Sequence, residues 1–397
     1  MINRYKKTIT SILDKLHNAR KKPFEKIEKW LIIQEILIKK IIYVENRIRK
    51  QKQEIKSCNK FRKDSDKRIN KRESYEIKKL IKYKKYQIEE YKKILGVYNG
   101  LGDGIAFTFL DKHVIKPQNF KELHGFISRK KGITKEKKIL RYLFSIGRIA
   151  ILNDITSVLR YADITLIGGH RTFTALEIKT SNNLSSRMLG QQKKAKKLYK
   201  YLKNDVVEDL YGNGRVMHRV ATEIPEINYI EQINDLIEKA EKSGIAYSLM
   251  EKDLLYVVFY NEFPKVKLDN ILSKHKLKKP YVLYSNMFKF TGQGYYPFSL
   301  SLRTTKHYWD FLVDKLNILI FLDLENIDLI SKDNGFNFQQ SQDKYFPFTF
   351  NNVRENNFLD GIKVSIHMFG RIFMEFISAE WLIKETLNTD KLKNYFK

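Results

Sequence analysis

The chain has little cysteine and no long apolar run. Its 397 residues include one cysteine, Cys58, which excludes an internal disulfide framework and a zinc site built on cysteines. No stretch approaches the roughly 18 uncharged apolar residues of a membrane-spanning helix, and the first residues lack the apolar segment of a signal peptide. We therefore expect a cytoplasmic protein without a membrane partner.

Two common functional patterns are also missing. The sequence has no G-x-S-x-G motif and its 8 histidines are scattered, so nothing supports a serine hydrolase. The glycine-rich stretch from Asn99 to Gly104 lacks the Gly-Lys-Ser/Thr ending of a phosphate-binding loop. We interpret this stretch as a turn that ends the helical region before it.

Proline and glycine are scarce in the first 98 residues. The only proline there is Pro23, and the first glycine is Gly96. Apolar residues recur at helical spacing over residues 27–44 and again over 75–95. This pattern predicts two long helices in an antiparallel hairpin or coiled coil. Their apolar stripe would form either an intramolecular seam or a homodimer interface.

Acidic residues are few relative to basic ones. The chain has 75 Lys and Arg against 45 Asp and Glu, a formal net charge of +30. Residues 1–95 hold 30 basic and 12 acidic residues, so much of the excess lies there. Such a field attracts polyanions, and nucleic acid is the partner that it favours. The basic connector between the two helices, Asn59 to Arg72, would contact phosphates or be only a solvated loop. Its candidate phosphate contacts are Arg62, Lys63, Lys67 and Arg68.

The most specific functional signal lies between residues 162 and 180. Two stretches of alternating apolar residues, ADITLI and TALEIKT, flank a Gly-Gly turn, which is typical of a β-hairpin. The alternation places Glu177 and Lys179 on one face of the second strand. Pairing of the strands would bring Asp163 to the same edge. Two carboxylates beside an ammonium group suit a hard divalent cation, although Glu177 and Lys179 would also pair simply across an exposed edge.

The arrangement of Asp163, 13 intervening residues and then Glu177-Ile178-Lys179 resembles the catalytic core of the PD-(D/E)XK nuclease superfamily. The surrounding order is similar, because a helix predicted over 134–146 precedes the strands and a polar helix follows them. One departure is Ala162, where many members have proline. The resemblance covers roughly residues 130–205.

The resemblance implies hydrolysis of phosphodiester bonds with Mg²⁺, for which Mn²⁺ would substitute. Asp163, Glu177 and the backbone carbonyl of Ile178 would hold the ion, and Lys179 would hold the attacking water or stabilise developing charge. Additional candidates for the site are Glu136, Asp154, Gln191 and Gln192. Lys193 and Lys196 are candidates for nucleic-acid binding.

Two of these candidates have alternative interpretations. Glu136 is in the first turn of its predicted helix, where the helix dipole alone would explain it. Asp154 follows a predicted strand over 149–154. It would either replace Asp163 as the first acidic ligand or make an Asx turn towards Thr156.

We therefore predict an α/β protein in three parts. Residues 1–98 would form the basic helical hairpin, 99–262 a nuclease domain with the mixed sheet of a restriction-endonuclease-like core, and 263–397 an aromatic-rich α+β region. A bacterial role in restriction or phage defence, with a partner protein, follows only from class association. The alternative is a catalytically inactive nucleic-acid-binding or scaffold protein that self-associates through its helices.

Overall fold

The chain forms two compact units in the computed structural model. One unit comprises Met1–Leu198 with Phe290–Gly294, and the other comprises Tyr199–Lys289 with Tyr295–Lys397. These units do not coincide with the three parts predicted from the sequence, which remain a prediction. The described residues are 1–63, 70–120, 125–168, 172–178, 186–212, 214–222, 224–252, 254–262, 265–291, 294–353 and 361–388.

Three helices make up the N-terminal region of the first unit. They are α1 (Lys6–Arg20), α2 (Glu28–Lys63) and α3 (Lys71–Phe109). The ring of Trp30 near the start of α2 contacts that of Phe109 at the end of α3, with centroids 4.9 Å apart, and Lys84 pairs with Glu54 further along. The two long helices are therefore antiparallel, and the predicted helical hairpin is confirmed.

The apolar stripe of the hairpin is buried within the chain. Trp30, Leu37 and Val44 of α2 and Ile94 and Leu101 of α3 have no exposed surface. The helix α1, which was not predicted from the sequence, packs on both long helices. The stripe therefore serves as an intramolecular seam, the first of the two alternatives predicted for it.

The glycine-rich stretch over 99–104 is not a turn, because α3 continues through it to Phe109. The prediction of a chain reversal here is wrong. A Cβ atom on Gly102 would lie 2.1 Å from the carbonyl oxygen of Ile155, and one on Gly96 would lie 2.3 Å from that of Phe290. These glycines let the helix approach neighbouring backbone closely, and close backbone approach is a second common use of glycine.

The rest of the first unit contains a small sheet between helices. In chain order the elements are α4 (Lys112–Ile115), α5 (Ile133–Ser145), β1 (Ala150–Leu152), β2 (Ile164–Ile167), β3 (Phe173–Leu176) and α6 (Ser186–Asn204), of which the residues up to Leu198 belong to this unit. The predicted order of helix, strands and polar helix is confirmed. The sheet has the order β1-β2-β3, and both of its pairings are antiparallel. Short connections require antiparallel pairing, so the predicted mixed sheet is wrong for the described strands.

The second unit combines helices with further antiparallel sheets. Its elements are β4 (Val206–Glu208), β5 (Val216–His218), α7 (Ile230–Ser243), β6 (Ile245–Glu251), β7 (Leu254–Tyr260), α8 (Lys265–His275), β8 (Pro280–Tyr284), α9 (Phe298–Ser301), α10 (Thr305–Leu312), β9 (Leu316–Asp323), α11 (Leu324–Asp333), β10 (Phe336–Gln340), β11 (Phe348–Asn352), β12 (Gly361–Val364), α12 (Ile366–Met374) and α13 (Ala379–Leu387). The largest sheet has the order β6-β7-β9-β8. Among all described residues, no helix combines the length and apolar composition needed to cross a bilayer.

Candidate functional site

The end of the three-stranded sheet brings Asp154 and Asp163 together. Leu152 of β1 pairs with Ile164 of β2 in an antiparallel register, so the residues after β1 meet those before β2. Asp154 lies in the 3₁₀ turn that follows β1, and Asp163 directly precedes β2. Both predicted carboxylates therefore stand at one edge of the sheet.

The buried amide of Asn153 fixes this edge. Its Nδ2 donates to the carbonyl of Tyr161 at 2.7 Å, and its Oδ1 accepts from the Thr165 hydroxyl at 2.8 Å. Its backbone N–H donates to the carbonyl of Asp163 at 2.9 Å. Ala162 has a φ of +67°, which proline cannot adopt because its ring fixes φ near about −65°. The observed backbone therefore could not carry a proline at this position.

Lys130 lies among three carboxylates. Its Nζ is 2.6 Å from Oδ1 of Asp163, 2.7 Å from Oδ2 of Asp154 and 3.1 Å from Oε1 of Glu136. The side chains of Glu136 and Asp154 are 2% and 3% exposed and that of Asp163 is 13% exposed, so solvent screens these contacts weakly. We call Glu136, Asp154 and Asp163 the carboxylate cluster. Lys130 was not among the site residues predicted from the sequence.

The carboxylate cluster carries more negative charge than Lys130 neutralises. Burial raises the pKa of Glu136 to about 7, and the Asp163 and Asp154 carboxylates add to the increase while Lys130 opposes it. Burial alone would lower the pKa of Lys130, but Asp154 and Asp163 raise it above its ordinary value. Oε2 of Glu136 is buried and has no hydrogen-bond partner among the described residues. Glu136, whose role the helix dipole alone would also explain, therefore lies in the site.

Two more of the predicted site residues, Glu177 and Ile178, directly follow β3. The backbone N–H of Ile178 donates to Oδ2 of Asp163 at 2.8 Å, which brings this segment against the carboxylate cluster. Glu177 follows the last residue of β3 and is exposed. Lys179 lies outside the described residues. The structure thus joins Asp163 to the Ile178 backbone and adds Asp154 and Glu136 to the same place.

Six of the outlying candidates lie on the helices α2 and α6. Four have described side chains, all exposed: Lys193 and Lys196 on α6, and Arg62 and Lys63 at the end of α2. Four others lie, at least in their side chains, outside the described residues: Gln191 and Gln192, both in α6, and Lys67 and Arg68. Exposure leaves the four described cations accessible to a polyanion.

The helical hairpin holds the segment that carries Lys130. Glu45 of α2 is buried, and its Oε1 and Oε2 accept from the backbone N–H groups of Ile127 and Ser128 at 3.0 and 2.8 Å. Arg49, one turn further along α2, donates to the hydroxyl of Ser128. Both backbone bonds are charge-assisted, which makes them stronger than neutral ones. The position of Lys130 is therefore fixed by contacts between its segment and residues about 80 positions earlier in the sequence.

Two further buried polar residues of the hairpin hold the segments that carry Asp154. Gln34 of α2 donates to the carbonyl of Ala150 at 2.8 Å and accepts from the N–H of Leu152 at 2.9 Å. Asp103 of α3 accepts from both the N–H and the hydroxyl of Ser157, at 2.7 and 2.6 Å. The signal in the sequence that could have found Gln34 is a polar residue within an apolar stripe. The hairpin and the site are thus parts of one unit.

Asp103 should make stability depend on pH. Burial raises its pKa to about 6, although the bonds from Ser157 oppose the shift. The folded state therefore binds this proton more tightly than the unfolded chain, and stability should fall as pH rises from about 4 to about 6. Asp103→Asn should remove up to about 3 kcal/mol of this loss. Its free energy of unfolding should therefore equal that of wild type below about pH 4, exceed it increasingly between pH 4 and 6, and exceed it by the full amount above pH 6. Urea unfolding at several pH values measures this difference.

The matched control is Glu76→Gln, which neutralises an exposed carboxylate of the same helix. Its difference from wild type should stay within about 0.5 kcal/mol at every pH. A gain for Asp103→Asn that is constant with pH would contradict the role assigned to this carboxyl.

No family model, curated protein or solved structure matched this chain. Within the described part, no group of three or more His, Cys, Asp or Glu side chains is arranged to hold a metal ion as it stands. In the carboxylate cluster, the Lys130 ammonium takes the position of a cation. The site is therefore characterised by its own geometry: three carboxylates, one ammonium and the backbone of Ile178.

Proposed function

We propose that this chain is a metal-dependent nuclease that hydrolyses phosphodiester bonds, with DNA as the favoured substrate. The observation that carries the proposal is the convergence of Glu136, Asp154 and Asp163 on one cationic atom at 2.6–3.1 Å. Three carboxylates that share one lysine retain excess negative charge, which favours the binding of a further cation. The pattern of Asp163, Glu177 and Lys179 adds the chemistry that its resemblance implies.

The donor set fits a hard divalent ion. Its ligands are oxygens, without sulfur or imidazole, which suits Mg²⁺ or Mn²⁺ better than Zn²⁺. Oε2 of Glu136 has no hydrogen-bond partner in the described part and keeps its lone pairs available. Glu136, Asp154 and Asp163 would hold the ion, with Glu177 and the carbonyl of Ile178 as the ligands implied by the resemblance. Once bound, the ion would lower the pKa of a water molecule and offset charge on the phosphate.

The cationic side chains would position the carboxylates, assist the attacking water and contact the phosphates. Lys130 orients one oxygen each of Asp154 and Asp163 and so keeps the cluster assembled. Lys179, by resemblance, would hold the attacking water or stabilise charge on the phosphate. The exposed Lys193 and Lys196 would contact backbone phosphates on either side of the bond that is cut. No protein nucleophile is needed in this scheme.

A second function has one observation in its favour. Lys130 already neutralises part of the carboxylate cluster, as the cation of a structural ion pair would. The chain would then be a catalytically inactive nucleic-acid-binding or scaffold protein. Self-association through the apolar stripe of the hairpin has less support, because α1, α2 and α3 bury that stripe. A cytoplasmic role in bacterial restriction or phage defence is the setting that we propose for the nuclease.

Cleavage distinguishes these functions. The full chain should cut supercoiled plasmid, linear DNA or RNA in millimolar Mg²⁺ or Mn²⁺ and should lose this activity in EDTA. Asp163→Asn, purified in the same way, is the control for a contaminating nuclease and should be inactive. Binding of these substrates without cleavage under every condition would favour the second function. Equal cleavage by Asp163→Asn would contradict the proposed site.

A further inference from the structure

The distal end of the helical hairpin extends beyond its buried core. In α2 the last buried residue is Gln51, and in α3 the first is Ile81. We call residues 52–63 and 71–86 the arm. Between these limits, over 52–63 and 71–80, no described residue is buried. Burial of apolar surface normally supplies most of the stability of paired helices. Packing of a core therefore does not account for this part of the hairpin.

The arm is strongly basic. It contains 12 Lys and Arg against 3 acidic residues. Two of these three acidic residues have structural roles within the hairpin. Glu54 pairs with Lys84 of the opposite helix, and Glu73 accepts from the backbone N–H of Asn70 in a capping box at the start of α3. Most of the positive charge of the arm is therefore not balanced by its own carboxylates.

One face of α3 in the arm interleaves tyrosines with lysines. The face consists of Tyr75, Lys79, Lys82, Tyr83 and Tyr86, at positions i, i+4, i+7, i+8 and i+11. All five residues are exposed, and the three tyrosines keep between 56% and 63% of their surface accessible. This spacing is typical of a stripe that packs on a partner, yet in this chain it faces solvent.

We infer that this face of the arm binds single-stranded nucleic acid. Tyrosine rings can stack on unpaired bases, and lysines between them can contact the phosphates that link those bases. A duplex offers the same phosphates but keeps its base faces stacked internally. A second copy of the chain is a poorer occupant, because Lys79 and Lys82 would face the same cations across the contact.

The arm begins beside the segment that carries Lys130. Nζ of Lys52, the first residue of the arm, lies 5.8 Å from the centroid of the Phe126 ring, four residues before Lys130. From Tyr86 to Tyr75 the tyrosine face then extends about 16 Å further along α3. Binding to the arm does not depend on catalysis at the site. It can therefore be measured in EDTA, where cleavage does not occur.

Fluorescence anisotropy of labelled oligonucleotides tests the inference on the full chain. Wild type should bind single-stranded DNA or RNA more tightly than duplex DNA of equal length. Combined replacement of Tyr75, Tyr83 and Tyr86 by Ala should weaken single-strand binding at least about 100-fold and leave duplex binding nearly unchanged. The corresponding Phe variant should keep its affinity, because phenylalanine also stacks. Parallel single-stranded DNA and RNA titrations identify which of the two is preferred.

The matched control replaces three other exposed tyrosines, Tyr142, Tyr199 and Tyr345, by Ala and should bind as wild type does. Combined Lys79→Gln and Lys82→Gln should reduce the slope of log affinity against log salt by about 1.4, since each phosphate contact on a single strand contributes about 0.7.

Three results would overturn the inference. Unchanged single-strand affinity in the Tyr→Ala variant would leave the arm as a general cationic surface. An equal loss of duplex affinity would remove the role of stacking. A change from dimer to monomer in sedimentation would assign the face to a second copy of the chain. Circular dichroism of each variant establishes that it folds, which is expected because the changed side chains are exposed.

Discussion

Replacing Lys130 by Met should destabilise the metal-free protein and strengthen its binding of divalent metal. Removal of one partner from a buried ion pair leaves uncompensated charge and costs about 3–5 kcal/mol. Lys130 is 30% exposed, so we expect a loss near about 3 kcal/mol in urea unfolding with EDTA present. Mn²⁺ at about 100 times its Kd should restore about 2.7 kcal/mol, because it binds only the folded state.

The comparison with wild type identifies the cause. Calorimetric titration should give Lys130→Met a higher affinity for Mn²⁺ than wild type, since its carboxylates no longer have an ammonium among them. Lys138→Met removes an exposed cation from α5, the helix that carries Glu136, and should change neither stability nor metal affinity appreciably. Loss of stability in Lys130→Met without any recovery in Mn²⁺ would show that the carboxylate cluster is a structural ion pair.

The helical hairpin was predictable because its signal is local. Apolar residues at helical spacing, with little glycine or proline, indicate two helices whatever the rest of the chain does. The same reasoning failed at 99–104, where α3 continues and Gly102 allows it to pack closely against the carbonyl of Ile155. A single sequence does not distinguish a glycine needed for a turn from one needed for close approach, because the difference lies in the distant partner.

The site was predictable only in part for a similar reason. Asp154 and Asp163 could be placed because each adjoins a short strand, and antiparallel pairing brings such ends together. Lys130 has no comparable local signal. Its position follows from bonds between Glu45 and the segment before it, and such contacts between residues about 80 positions apart are set by tertiary packing.

The proposed metal site has two overlapping candidate sets of ligands. Asp163 belongs to both of them. The set implied by resemblance adds Glu177 and the carbonyl of Ile178, whereas the carboxylate cluster adds Asp154 and Glu136. Glu177 is exposed and Glu136 is buried beside Lys130. Exposed carboxylates are well hydrated, so the buried set should contribute more of the affinity for a cation.

Conservative variants should separate the two sets. We expect the cleavage rates of Asp163→Asn and Glu136→Gln to fall at least about 100-fold. A variant that does not bind the ion loses the electrostatic stabilisation that the ion supplies, which is worth several kcal/mol. Both should also lose Mn²⁺ binding in calorimetry. Glu177→Gln should retain measurable Mn²⁺ affinity through the remaining cluster. Its cleavage should decrease if Glu177 completes the ligand shell in the presence of substrate.

Stability provides a readout that does not depend on activity. Glu136→Gln removes a carboxyl whose pKa burial raises to about 7, so the folded metal-free protein should tolerate this change well at neutral pH. Its unfolding should no longer respond to Mn²⁺, whereas that of wild type and Glu177→Gln should. The opposite pattern, with the response kept in Glu136→Gln and lost in Glu177→Gln, would assign the metal to the exposed set. Glu136, Asp154 and Lys130 would then form only the structural support behind Asp163.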